Sequence, residues 1–204
     1  MVTAVFILIA YLVGSLSFAV LMSRAFGLPD PRSYGSGNPG ATNVLRTGRR
    51  AAAVLTLLGD GGKGWLAVFL AGRFAGDWDV GPAGIAGVAI AVFAGHLFPV
   101  LFGFRGGKGV ATAAGILLAV DHWLGLSVLA SWIAIAVIFR LSSLAALVAA
   151  VFAPICYVLM FRVDVMAASL AAMSGLLIWR HRENVRRLLA GQEGRIGGKP
   201  ENSA

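Results

Sequence analysis

VATAAGILLAVDHWLGLSVLASWIAIAVIF, residues 110–139, is the stretch on which the architecture turns. Read as one helix, it runs well past the roughly 20 residues that cross a bilayer core. Asp121 and His122 divide it. A turn at these two residues leaves a short apolar helix over 110–120, extended into the preceding link, and a second over 123–139. The choice sets the side of the membrane on which every later loop emerges.

Working outward, apolar runs over 2–22, 51–72, 82–104, 144–161 and 165–179 complete the set, the second of them interrupted near its middle by Gly59-Asp-Gly-Gly-Lys-Gly64. Of the 204 residues, 58% are hydrophobic and 13% charged, a balance that belongs in lipid. With the break at 121–122 the chain is an all-α polytopic membrane protein. It has seven transmembrane helices, the N-terminus outside and the C-terminus cytoplasmic. Alternating sides then gathers Arg24, Arg32, Arg46, Arg49, Arg50, Arg105, Lys108, Arg140 and the tail cations on one face. That is 14 of the 17 Lys and Arg, leaving Arg73 and Arg162 opposite and Lys63 inside the membrane. Cations concentrate on cytoplasmic loops, so this count favours seven helices over a single long 110–139 helix. A signal peptide would carry positive charge ahead of the first run, and none precedes it here. Residues 1–197 read as one integral-membrane domain and 198–204 as a flexible tail.

The formal charge of +8 lies in short segments between apolar runs, which argues topology rather than nucleic acid. The lone Cys156 can form no internal disulfide. Three histidines scattered over different helix ends make no metal pattern, so neither metal nor cofactor is expected.

Polar residues cluster at four helix ends of the inner face. The first is Gly35-Ser-Gly-Asn-Pro-Gly-Ala-Thr-Asn-Val-Leu-Arg46. Its glycines let consecutive N–H groups converge on an anion; Ser36, Asn38, Thr42 and Asn43 add neutral donors, and Arg46 a fork suited to phosphate. The second is Arg105-Gly-Gly-Lys-Gly109, where Lys108 is either a topological cation or an ammonium beside free N–H groups at a helix start. The third, Arg140 to Ser143, supplies Ser142 and Ser143 as helix caps, ligand donors, or both. The fourth, Arg180 to Arg187, holds His181 as candidate base, with Glu183 or Asn184 to fix its surroundings. Within lipid depth, Asp60 and Lys63 at i, i+3 must pair or meet water, and they support the site. His96 reads equally as packing or site group.

Gly35, Gly37 and Gly40, like Gly59, Gly61 and Gly64, fit G-x-G-x-x-G, but neither set follows a strand in a βαβ unit. The Gly107-Lys108-Gly109 segment lacks the hydroxyl residue that completes a nucleotide P-loop.

Three stretches together, Ser36–Arg46, Gly95-His-Leu-Phe-Pro99 running into Gly106-Gly-Lys-Gly-Val-Ala-Thr112, and Arg180-His-Arg-Glu-Asn184, carry a family resemblance. Over residues 1 to about 197 the chain resembles the bacterial membrane acyl-phosphate:glycerol-3-phosphate acyltransferases, the PlsY family. The resemblance implies an enzyme of the bacterial inner membrane with its active site facing the cytoplasm. Such an enzyme transfers a fatty acyl group from acyl phosphate to the 1-hydroxyl of glycerol 3-phosphate, giving lysophosphatidate and phosphate in phospholipid synthesis. It implies catalytic roles for His181, Asn184, Lys108 and Ser36. Phosphate binding would fall to Gly37, Asn38, Gly40, Thr42, Asn43, Arg46, Gly107 and one of Ser142 and Ser143, with support from Asp60, Lys63, His96 and Glu183. Its partners would be acyl phosphate, glycerol 3-phosphate, membrane lipid and a soluble acyltransferase that makes the acyl phosphate; no nucleic acid is implied. The His-x4-Asp motif of other glycerolipid acyltransferases is missing, since Leu101, Ser127 and Arg186 stand where the aspartate would follow His96, His122 and His181. The competing class is a small anion or phosphate transporter, whose polar residues would continue toward both faces.

Overall fold

The computed structural model describes residues 1–78 and 80–196, so the expected tail over 198–204 lies outside the described residues. Among these residues the chain is helical, with no strand. The helices are α1 (Val2–Gly14), α2 (Phe18–Ala25), α3 (Ala41–Leu45), α4 (Arg50–Phe74) and α5 (Pro82–Leu97), then α6 (Val110–Val120), α7 (His122–Phe139), α8 (Ser142–Met160), α9 (Val165–Arg180) and α10 (Arg182–Leu189).

Asp121 divides the decisive stretch by capping. Its carboxylate accepts the Leu124 N–H at 2.9 Å, satisfying a donor that has no partner inside α7. Asp164 does the same for α9, accepting the Met166 and Ala167 N–H groups at 2.9 and 3.0 Å. The third cap differs from expectation. Leu141 occupies the cap position of α8, and Ser142 is already its first helical residue.

α4, α5 with its extension to Phe102, α7 and α8 are each long and apolar enough to cross a membrane, and the α1–α2 pair, bent by 40°, makes a fifth such unit. α6 and α9 are shorter, with 11 and 16 residues. At 1.5 Å per residue they reach only about 17 and 24 Å of a core near 30 Å. The surface agrees with a lipid solvent. Leu58, Val137, Ile138 and Leu159 are more than half exposed, whereas Thr56, Asp60, Lys63 and His96 are buried. In water this distribution would be unstable; in lipid the apolar exterior costs nothing and the polar groups find partners inside.

Three expected spans change shape. The first run breaks at Ser15–Ser17 instead of continuing to 22. The third ends at Leu97, because Pro99 offers no N–H to a continuing helix, and the chain turns through a 3₁₀ segment at Val100–Phe102. The glycines at 59–64, read in sequence as an interruption, leave α4 unbroken from Arg50 to Phe74. Their use is close packing, since glycine lets neighbouring membrane helices bring their backbones together. A Cβ on Gly115 of α6 would stand 1.9 Å from the Gly61 carbonyl oxygen of α4. In the α1–α5 pair, a Cβ on Gly95 would stand 2.3 Å from the Tyr11 carbonyl oxygen. α9 packs against α5 and α8, and α8 against α7, which closes the bundle.

Gly115→Ala should therefore separate α4 from α6 and cost about 1–3 kcal/mol, read as a lowered thermal midpoint in detergent. Gly62→Ala, where nothing lies within 4 Å, should leave that midpoint unchanged or raise it.

Candidate active site

The four polar clusters converge at one end of the bundle. The glycine-rich loop is held from within by Asn43. Its Oδ1 accepts the Ser36 N–H at 3.0 Å, and its Nδ2 donates to the carbonyls of Pro31 at 2.7 Å and Tyr34 at 3.2 Å. This buried amide thus orders the loop instead of offering free donors to a ligand, the role expected from sequence. Gly35 takes φ +58, and a Cβ there would stand 2.4 Å from Asn43 Oδ1 and 3.0 Å from Arg46 Nη1. Only glycine lets these side chains close over the turn. Ser36, Gly37, Thr42 and Arg46 stay exposed, while Asn38 and Gly40 are half-buried. Arg32, Tyr34, Gly35, Ser36 and Gly37 line an open polar cleft of about 370 Å³.

The Lys108 loop docks under this one. The Gly107 N–H donates to the His96 carbonyl at 3.1 Å, and a Cβ on Gly107 would meet both His96 Nε2 and the Pro39 carbonyl. Gly109, at φ +85 against the Phe93 ring, turns the chain into α6. From α9, Arg180 donates to the Gly106 carbonyl at 2.8 Å and the Gly107 carbonyl at 3.2 Å. Lys108 Nζ then reaches Asn184 Oδ1 on α10.

Beneath the loop lies a buried ionic knot. Lys63 Nζ donates to Asp60 Oδ1 at 2.8 Å and to the Leu16 carbonyl at 2.6 Å, and it stands 3.0 Å from His96 Nδ1. With three ammonium hydrogens on three acceptors, Nδ1 of His96 is the acceptor and Nε2, facing Gly107, carries the hydrogen. Lys63 is 5% and Asp60 2% exposed, so neither charge has water to fall back on.

His181 sits at the break between α9 and α10 and is 3% exposed. Its Nδ1 lies 2.8 Å from the Leu177 carbonyl, an acceptor only, so Nδ1 holds the hydrogen and Nε2 the lone pair. Burial pushes the imidazole down to about 4, despite the Leu177 carbonyl, and the field of Lys108 adds to the shift. The histidine is neutral at pH 7, which makes it a hydrogen-bond acceptor and a weak proton acceptor. Burial also lowers the Lys108 ammonium to about 8, helped by Arg187, Arg180 and Arg46 and opposed by Glu193.

Glu183, expected to steady His181, instead points outward and pairs with Arg186 at 3.2 Å. The acidic group that does enter the site is Glu193, which sequence reasoning left out; its only signal is a carboxylate set beyond a strongly basic helix. Oε1 of Glu193 accepts from Asn184 Nδ2 at 2.6 Å and Oε2 from Arg187 Nε at 2.7 Å. The segment from Gly194 to Ile196 is tied back to the bundle. The Ile196 N–H donates to the Arg140 carbonyl at 2.7 Å, and Arg140 Nη2 returns a bond to the Ile196 carbonyl at 3.2 Å. Ser142 is half-buried; the Ser143 hydroxyl is buried, has no partner inside hydrogen-bond distance among the described residues, and stands near the Glu193 carboxylate. No cluster of metal-ligating residues occurs among the described residues.

The family model for glycerol-3-phosphate acyltransferase matches residues 4–191. The glycerol-3-phosphate acyltransferase of Ralstonia nicotianae is 64% identical over 197 residues, covering 97% of this chain and 95% of the relative. That of Cupriavidus taiwanensis is 64% identical over 199 residues, with 98% of each chain covered. Among solved structures, PlsY, an integral membrane glycerol 3-phosphate acyltransferase in its glycerol 3-phosphate form, superposes with a TM-score of 0.89. The two are 34% identical over 96% of both chains. Its lysophosphatidic acid form gives 0.87 at 33% identity.

Because the folded His181 binds its proton at about 4 and the unfolded imidazole near 6.5, the unfolded chain takes up protons first as pH falls. The stabilisation is complete above about 6.5 and is lost on descending toward 4. Thermal midpoints in detergent should therefore drop across that window, and His181→Asn should flatten the dependence.

Proposed function

Since the chain belongs to the glycerol-3-phosphate acyltransferase family, we propose that its acyl donor is acyl phosphate and that the four converging clusters are the site of transfer. The observation that carries this reading is the contact between Lys108 and Asn184, beside the neutral His181 and within the field of Arg46, Arg180 and Arg187. Two anions repel one another. A half-buried group of cations offsets that repulsion and holds the reactants in attacking geometry.

In this reading the loop carrying Ser36, Gly37, Asn38, Gly40 and Thr42, with Arg46, receives one phosphate, and Lys108 with the Gly107 turn and Ser143 receives the other. Asn43 shapes the loop. His181 Nε2 accepts a hydrogen bond from the 1-hydroxyl of glycerol 3-phosphate and aims the oxygen lone pair at the acyl carbonyl carbon. The new C–O ester bond forms, the C–O bond to phosphate breaks, and Lys108 screens the leaving charge. An imidazole that binds protons only near 4 is a poor base at pH 7, whereas a phosphate monoester titrates near 6. The hydroxyl proton accordingly passes to the phosphate oxygens.

The same proposal gives seven membrane crossings, with α6 and α9 as short ones, over a single domain spanning 1–197. The N-terminus lies outside the bacterial inner membrane and the site opens on the cytoplasm, where both anions and a soluble enzyme supplying acyl phosphate are found. The cation distribution across the loops supports that orientation.

Purified protein should release phosphate from palmitoyl phosphate only when glycerol 3-phosphate is present, and should ignore acyl-CoA. Release without the acceptor, or uptake of phosphate into vesicles without chemistry, would refute the reading. Lys108→Ala in correctly inserted protein should lower kcat at least about 100-fold. Wild-type kcat/KM should decline above pH of about 8, as the Lys108 ammonium loses its proton.

A further inference from the structure

We propose that Glu193 is a positioning residue for the transfer, acting on Lys108 through Asn184. The inference rests on the functional reading above. Glu193 lies in the segment that follows α10, and its side chain is 9% exposed although it belongs to a chain terminus rich in cations.

A relay runs across the site. Arg187 Nε donates to Glu193 Oε2, Glu193 Oε1 accepts from Asn184 Nδ2, and Asn184 Oδ1 faces Lys108 Nζ. A carboxylate can only accept and an ammonium can only donate, so the two neighbours leave the Asn184 amide one orientation. Without Glu193 the amide is free to flip and present its NH₂ group to Lys108, a donor against a donor. Burial alone would raise the Glu193 carboxyl, but the hydrogen bonds from Asn184 and Arg187 hold it below the usual carboxylate range. It is therefore an anion throughout the working pH range.

The charged groups around Lys108 are Arg46 after the glycine-rich loop, Arg180 at the end of α9, Arg187 on α10, and Glu193; His181 is neutral. Glu193 supplies the one negative field among them, and it keeps the Lys108 proton in place. The pair of hydrogen bonds between Ile196 and Arg140 fixes the segment that carries Glu193, joining the end of α7 to the site. Thus a residue outside all four sequence clusters governs both the orientation and the charge of the group that meets phosphate.

The test compares wild type with Glu193→Gln, Glu193→Asp and Glu193→Ala over pH 6 to 9, using palmitoyl phosphate and glycerol 3-phosphate. Glu193→Gln should lose about ten- to a hundredfold in kcat at pH 8, with most of the activity recovered at pH 6. Its alkaline limb should move to lower pH, because the charge that favours the Lys108 ammonium is gone. Glu193→Asp, which keeps the charge, should hold the limb nearer wild type, and Glu193→Ala should lose most. In parallel, the pH dependence of Lys108 acylation by succinic anhydride, read by mass spectrometry, needs no donor substrate. A downward shift of that titration in Glu193→Gln supports the inference even if acyl phosphate proves to be the wrong donor. An unshifted titration, a loss equal at every pH, or a rise in kcat/KM for Glu193→Ala would each overturn it; the last would make Glu193 an occluding anion.

Discussion

A lysine buried where water cannot reach must spend all three of its hydrogens on protein, and Lys63 does so on three separate elements. It binds Asp60 on its own helix, the Leu16 carbonyl, and His96 at the end of α5. The kink between α1 and α2 makes Leu16 available, because a straight helix would bond that carbonyl internally. His96 in turn supplies the carbonyl that anchors Gly107. One buried charge thereby couples the bend of the first span, the middle of α4 and the loop that presents Lys108. Breaking such a pair leaves an unpaired ion in lipid, so the geometry above it is held by a steep energetic penalty.

The site built on that base separates two electrostatic tasks. Arg46, Arg180, Arg187 and Lys108 make a positive field, while His181, buried beside them, is kept neutral by desolvation and by the nearby charges of Lys108 and Arg180. A protonated imidazole could not accept a hydrogen bond from a hydroxyl. In the proposed transfer the cationic surroundings thus also protect the lone pair that orients the nucleophile. Arg180 serves both sides, since it reaches the Gly106 and Gly107 carbonyls and fixes the end of α9 against the Lys108 turn.

Much of this was legible from residue order. The split of 110–139 followed from Asp121 and His122, and the capping bond from Asp121 to Leu124 is the physical event behind it. The pairing of Asp60 with Lys63 followed from the cost of isolated charge at lipid depth. Less legible were glycines. At 59–64 a glycine run looks like a break, yet without water to compete for the backbone it leaves the helix intact and serves close packing with α6. Asn43 looked like a free donor, but its three hydrogen bonds are internal.

By itself the sequence determined the solvent, the helical class, the break at 121–122 and the polar groups gathered at one end, because hydropathy, capping and charge cost act over a few residues. Tertiary structure alone decided which of those groups touch. Glu183 turned outward to Arg186 while Glu193, ten residues on, turned inward to Asn184, and no periodicity separates the two. The reason is that a side chain's partner is chosen by the path of the backbone. That path was set by the break at His181 and by the return of Ile196 to Arg140, contacts between residues remote in sequence.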